Sequence, residues 1–136
     1  MSSPLARKLT PNLFVDEIEP CIAFWTERLG LEVVAKVPEG DRLGFAILSN
    51  GDMELMYQTW ESLAKDVPGA FPSTPARPVG LFVEVSDLGA VEKAMRGAPS
   101  IFPRRRTFYG MDEIGVREPG GYAVIFAQPS AKESSE

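Results

Sequence analysis

The sequence repeats itself. With a shift of 70 residues, Leu13 falls on Val83, Val15 on Val85, Glu17 on Asp87, Ile18 on Leu88 and Gly51 on Gly121. The matches run from the first strand-like segment to the last hairpin, as two copies of one supersecondary unit would give. In the first copy, residues 9–15 alternate like a half-buried strand. Ile18, Cys21, Ile22, Trp25 and Leu29 then recur at three and four, behind Pro20 and ahead of Gly30, which predicts an amphipathic helix. Strands are expected over 31–37, 43–48 and 52–58, the last two joined by Asn50-Gly51, a strong hairpin turn. The second copy has a strand over 79–85 and a helix over 87–96, with Leu88, Val91, Ala94 and Met95 inward. Residues 100–106 form a strand or an arm, 111–117 a strand, Glu118-Pro119-Gly120-Gly121 a turn, and 122–127 the last strand.

One β-α-β-β-β unit is too small to hide both its helix and its sheet face. Two curled four-stranded sheets packed together are large enough, and their concave side would form one cleft. The expectation is an α+β fold of two paired β-α-β-β-β modules forming a curled sheet around a cleft. The single domain would span 9–128, with module 1 at 9–60, a linker at 61–78 and module 2 at 79–128. A short helix is compatible with 60–65. Pro68, Pro72, Pro75 and Pro78 make the rest of the linker non-regular. Residues 1–8 read as a flexible arm and 129–136 as a flexible polar tail. A chain of 136 residues is long enough for one core without a metal or disulfide staple.

Composition removes several chemistries. There is no histidine, which excludes Ser-His-Asp triads, Cys-His pairs and His-ligated zinc or iron. The single cysteine, Cys21, excludes an intrachain disulfide and any cysteine-cluster metal site. It falls on the inward face of the first helix, where a buried inert thiol is expected rather than a nucleophile. A formal charge of -5 makes nucleic acid a poor partner. No apolar stretch approaches the ~20 residues of a membrane span, and no signal-peptide pattern follows Arg7 and Lys8. The expectation is a cytoplasmic protein that binds neither nucleic acid nor membrane.

The motifs Leu13-Phe14-Val15-Asp16-Glu17-Ile18, Phe24-Trp25 and Leu29-Gly30-Leu31 occur together with the closing hairpin Arg117-Glu118-Pro119-Gly120-Gly121 and the apolar strand 122–126. In these, residues 9–128 resemble the vicinal oxygen chelate superfamily of glyoxalase I, extradiol dioxygenases and bleomycin-resistance proteins. The resemblance implies a homodimer, swapped or unswapped. It also implies four metal-ligand positions, one per inner strand, where active enzymes place His, Glu, His and Glu. Here those positions carry Thr10, Glu54, Gly80 and Ile125. One ligating side chain of four cannot hold a catalytic metal, which needs about three protein ligands. Neither a metal nor another cofactor is expected.

Strand alternation gives the cleft lining. The first strand would offer Thr10, Asn12, Phe14 and Asp16; the third Glu54, Met56 and Gln58; the fifth Gly80, Phe82 and Glu84; the last Ala123, Ile125 and Ala127. Leu13, Val15, Leu55, Val83, Val124 and Phe126 would face the helices. Phe108, Tyr109 and Met111 lie in a loop that could cover the cleft. The expected ligand site is Asn12, Phe14, Glu54, Met56, Phe82, Glu84, Phe108, Tyr109 and Ile125. Aromatic rings with carboxylates at intervals suit a flat apolar ligand with a positive group. Phe14 and Phe82 could equally fill the hollow. Glu54 has two readings: a general base with a pKa raised by its apolar surroundings, or a partner for a ligand cation or an arginine. Arg104-Arg105-Arg106 is either an anion site or, more simply, a solvated basic run. Trp25 reads as core or dimer contact, and Trp60 as an interface or pocket rim. The leading functional expectation is a non-catalytic small-molecule binding protein like the bleomycin-resistance branch. The alternatives are a glyoxalase- or dioxygenase-like enzyme with an atypical or absent metal site, and a structural dimer with a filled cleft.

Overall fold

Alternating burial along each strand sets one sheet face against a helix, and this happens twice. The structure, a computed structural model, describes residues 5, 8–66 and 79–131. The chain divides into two units, Met1–Pro72 and Ser73–Glu136. The first contains β1 (Asn12–Val15), α1 (Glu19–Leu29), β2 (Glu32–Glu39), β3 (Arg42–Ser49), β4 (Glu54–Thr59) and α2 (Trp60–Asp66). Its sheet runs in the order β1-β4-β3-β2, with β1 parallel to β4 and the other pairs antiparallel. The second contains β5 (Gly80–Glu84), α3 (Leu88–Ala94), β6 (Ser100–Arg106), β7 (Met111–Arg117) and β8 (Ala123–Pro129), in the matching order β5-β8-β7-β6. These are the two β-α-β-β-β copies of the repeat, each closed by a parallel pair of its first and last strands.

The first core forms where α1 meets the inner side chains of its sheet. Leu13, Val15, Ile18, Cys21, Phe24, Trp25, Ala46, Leu48, Leu55 and Tyr57 are all buried. A fully buried side chain of this kind contributes about 1.5–3 kcal/mol. Trp25 Nε1 donates to Tyr57 Oη at 2.8 Å, which pairs the polar atoms of two buried aromatics. Trp25 is therefore core. Cys21 is fully buried, and its thiol lies 3.6 Å from the Glu17 carbonyl. Gly30 ends α1 in the left-handed region at φ 74°, and its N–H returns to the Thr26 carbonyl. In the second unit Leu88, Val91 and Met95 pack with Ile114, Val116, Val124 and Phe126. Asp87 caps α3, its carboxylate accepting from Ala90 N–H at 3.1 Å.

Several expectations are refined or corrected. The short helix compatible with 60–65 is present as α2, which runs one residue further to Asp66 and buries Leu63. The helix α3 stops at Ala94, and residues 95–97 are a turn that enters Gly97 at φ 89°. Of the two readings for 100–106 the strand is the one observed; Met111 opens β7, as the strand 111–117 requires, and so lies outside the turn that holds Phe108 and Tyr109; and Val83, expected in the core, is half-buried. The remaining linker residues 67–78, arm residues 1–4, 6 and 7, and tail residues 132–136 lie outside the described residues.

The two outer strands β2 and β6 are both interrupted by register shifts, and both carry proline and charge (Lys36 and Pro38; Pro103 and the three arginines). These features blunt edge-to-edge pairing. Among the described residues, no helix is long and apolar enough to cross a membrane.

Candidate functional site

Each sheet turns its second face away from its helix, and the expected site residues lie there. In the first unit the parallel register sets Asn12 opposite Met56 and Phe14 opposite Gln58. Antiparallel pairing adds Ile47 beside Met56 and Phe45 beside Gln58. Asn12, Phe14, Phe45, Ile47, Glu54 and Met56 are all half-buried, between the closed core and open solvent. Phe45 and Ile47 were missed as lining residues, although the alternation over 43–48 carries the signal. Trp60 joins the same face, its ring 5.4 Å from that of Phe14.

Polar groups on this face form two short chains. Asn12 Nδ2 donates to Gln58 Oε1 at 3.1 Å, and Gln58 Nε2 donates to Ser62 Oγ at 3.2 Å. Asn12 Oδ1 and Trp60 Nε1 are buried and have no hydrogen-bond partner. Near the other end, Thr10 Oγ1 donates to Glu54 Oε1 at 3.0 Å, and Lys8 Nζ stands 2.9 Å from the same oxygen. The Lys8 and Thr10 hydrogen bonds hold the Glu54 carboxyl below the usual glutamate range. This corrects the expected raised pKa: an ammonium and a hydroxyl stabilise the anion more than partial burial disfavours it. Glu54 is a poor general base as a result.

The sheet registers also correct one ligand position. Phe82, 70 residues after Asn12, faces Ile125, which is 69 after Met56. The turn glycines keep the offset of 70, with φ 95° at Gly51 and φ 94° at Gly121, so the second hairpin is one residue shorter after its glycine. Ile125 therefore corresponds to Met56, and the counterpart of Glu54 is Ala123, which pairs with Gly80. Thr10, Glu54, Gly80 and Ala123 supply one carboxylate and no imidazole, and that carboxylate is already bound to Lys8. These residues do not fit a chelated divalent metal. Among the described residues, no three His, Cys, Asp or Glu side chains are grouped to hold one.

A cavity of about 320 Å³ opens at the far end of the first sheet, lined by Asp16, Glu39, Arg42, Leu43, Thr59, Trp60 and Glu61. Three carboxylates face one guanidinium there. Lys65 Nζ lies 2.7 Å from Glu39 and 3.7 Å from Glu61, and these contacts raise its pKa, Glu39 contributing most. Gly44 lets this corner close, since a Cβ on it would lie 2.8 Å from Glu39 Cβ and 3.3 Å from Ser62 Cβ.

In the second unit, pairing sets Phe82, Ile125, Gly115 and Phe102 in one row across the four strands. Glu84, Ala127, Glu113 and Arg105 form the next row. Phe82 and Glu84 are exposed, and Ile125 is half-buried. Phe108 is fully exposed in the turn between β6 and β7, edge-on to Tyr109 at 5.1 Å. Residues 104–106 are exposed, as a solvated basic run requires, but each arginine is also paired with an acid. Arg104 pairs with Glu92 at 2.8 Å, Arg105 with Glu113 at 3.2 Å and Arg106 with Asp112 at 3.1 Å. Glu113, absent from the expected site, is fully buried on this face.

Duplicated β-α-β-β-β units, each with a mixed four-stranded sheet, define the class of protein. It is the fold of the glyoxalase/bleomycin resistance/dioxygenase proteins. A glyoxalase/bleomycin resistance protein/dioxygenase family enzyme from Burkholderia phytofirmans PsJN is 19% identical, covers 90% of this chain and 99% of its own, and has a TM-score of 0.75. TnmS3, an antibiotic binding protein from Streptomyces sp. CB03234, is 19% identical over 94% of this chain and 100% of its own, with a TM-score of 0.70. Lactoylglutathione lyase from Agrobacterium tumefaciens is 19% identical over 93% and 95%, with a TM-score of 0.69. The chain matches no protein-family model and no curated protein sequence. The fold expected from the resemblance is the fold observed. Because it is shared by a binding protein and a lyase, the chemistry rests on this chain's own residues.

Proposed function

We propose that this chain is a small-molecule binding protein that takes an aromatic ligand with a positive group, without metal-dependent turnover. The observation that carries the reading is the acid-lined cavity beside Trp60. Its volume of about 320 Å³ is at the lower end of the range of small-molecule pockets. Three carboxylates against Arg42 and the neighbouring Lys65 leave one net negative charge, which favours a cation, and the Trp60 ring favours a flat one. The unpaired Asn12 Oδ1 and Trp60 Nε1 on the adjoining face support the reading, because a buried polar atom without a partner is costly unless something satisfies it. Against turnover by Glu54 stands the engagement of its carboxylate by Lys8 and Thr10. Phe82, Glu84, Phe108, Tyr109 and Ile125 lie in the second unit and do not line this cavity. In this reading the chain works as a cytoplasmic homodimer. Light scattering should then give twice the chain mass of 14.9 kDa.

The test is a fluorescence titration with methyl viologen, a flat aromatic dication that quenches tryptophan. Saturable quenching that weakens with salt and disappears in Trp60→Phe is expected. Trp25, fully buried in the core, is the internal reference. Linear collisional quenching, unchanged in the variant, would overturn the proposal. An enzyme would instead show turnover lost in Glu54→Gln, and a filled structural dimer would leave every ligand unbound.

A further inference from the structure

The Arg105 guanidinium lies 3.7 Å over the centre of the Phe102 ring. The ring in turn lies against Gly115, where a Cβ would come within 2.5 Å of it. Sheet, ring and guanidinium are therefore stacked in layers, and the bare glycine is what lets the stack sit down. Arg105 Nε and Nη2 both donate to Glu113 Oε1 at 3.2 Å. Tyr109 Oη donates to the other oxygen, Glu113 Oε2. That bond raises the Tyr109 pKa and keeps the hydroxyl protonated. The carboxylate is fully buried while the Arg105 side chain is 53% exposed. The guanidinium is thus held in place from below and along one edge. Among the described residues its Nη1 has no hydrogen bond, and about half of the side chain is open to solvent.

A charge pair with its carboxylate buried is a weak source of stability, because desolvation of that carboxylate offsets much of the attraction. Apolar residues would stabilise the face at least as well. What the pair does provide is orientation: a long, flexible arginine is fixed in one geometry before anything binds. We propose that Arg105, stacked on Phe102 and clamped by Glu113 and Tyr109, is a preformed binding site for a planar aromatic ligand carrying an anionic oxygen. The ligand ring stacks on the outer guanidinium face, and the oxygen accepts from Nη1. This is a recognition element of opposite charge to the acidic cavity of the first unit. It stands independently of the cation reading above.

The probe is 2-naphthoate, with 2-naphthamide as its neutral isostere, followed by calorimetry and by ¹H–¹⁵N NMR that includes the arginine Nε–H signals. We expect naphthoate to bind about tenfold or more tighter than the amide and to shift Arg105 Nε–H and the amides of Phe102 and Tyr109. Arg105→Lys keeps the charge and a partner for Glu113 but loses the planar face. It should weaken naphthoate by about tenfold with the melting temperature maintained. Equal affinity for acid and amide, shifts confined to the first unit, or full affinity in Arg105→Lys would each overturn the proposal. If the lysine variant does not fold, the wild-type shift pattern and the acid-to-amide ratio still decide. Methyl viologen quenching is read separately, so the two proposals fail independently.

Discussion

Replacing Gly115 with alanine should loosen the second unit through one contact. The new Cβ would lie 2.5 Å from Phe102 Cε2, 2.8 Å from Cδ2 and 2.9 Å from Cζ. Carbon atoms pack at about 3.5–4.0 Å, so the ring must retreat by roughly 1 Å. The strand has little room to yield, because Gly115 is paired with Ile125 on one side and Phe102 on the other. The ring can move only by disturbing the guanidinium 3.7 Å above it, which Glu113 holds. Overpacking of this kind costs about 1–3 kcal/mol, and alanine recovers about 0.5–1 kcal/mol of the strand entropy that glycine loses. The net loss is about 0–2.5 kcal/mol, centred near 1 kcal/mol, or a fall in Tm of up to roughly 10 °C. Urea unfolding followed by circular dichroism should show a lower midpoint at unchanged slope. Gly80→Ala is the control, since its nearest neighbour would be the Ala123 carbonyl at 3.9 Å. Adding Phe102→Leu to Gly115→Ala should restore part of the loss. A Gly115→Ala protein as stable as the Gly80→Ala control would refute the stack.

Three further outcomes are expected. In a ¹³C titration, Glu54 should titrate below the usual glutamate range and move up in Lys8→Met. Because its folded pKa is depressed, the stability it adds is present above its unfolded pKa and is lost as pH falls through the folded one; an unmoved midpoint would remove the Lys8 contact from the account. Leu55→Ala, at a position only 2% exposed, should cost about 2–5 kcal/mol in urea unfolding, against little if the strand faced the other way. Asp87→Ala should cost about 0.5–2 kcal/mol by removing the cap on α3, and Asp87→Asn should recover most of it.

The architecture was legible because the repeat and the alternation are both simple periods. Leu13, Val15, Leu55, Val124 and Phe126 lie inward as their strand positions require, and Gly30 ends its helix as glycine permits. What escaped the reading depends on partners far apart in sequence. The pKa direction of Glu54 is set by Lys8, 46 residues away, in a segment with no regular structure. The one-residue difference between the two hairpins is invisible until strands pair, and it moved the Glu54 counterpart from Ile125 to Ala123. Arg104-Arg105-Arg106 looks like one basic run in sequence, but each arginine reaches a different acid on a neighbouring element. Glu113 sits in the alternation as an ordinary polar residue, and only Arg105 and Tyr109 together explain its burial.

The central claim is that this chain has the glyoxalase/bleomycin resistance/dioxygenase fold and that its described residues do not fit a chelated metal. Its most direct test is elemental analysis by plasma mass spectrometry of freshly purified protein, prepared without chelator and then dialysed against zinc, nickel, manganese and iron in turn. The account predicts far less than one metal per chain in every case. Near-stoichiometric retention of any of the four, lost in Glu54→Gln, would contradict it.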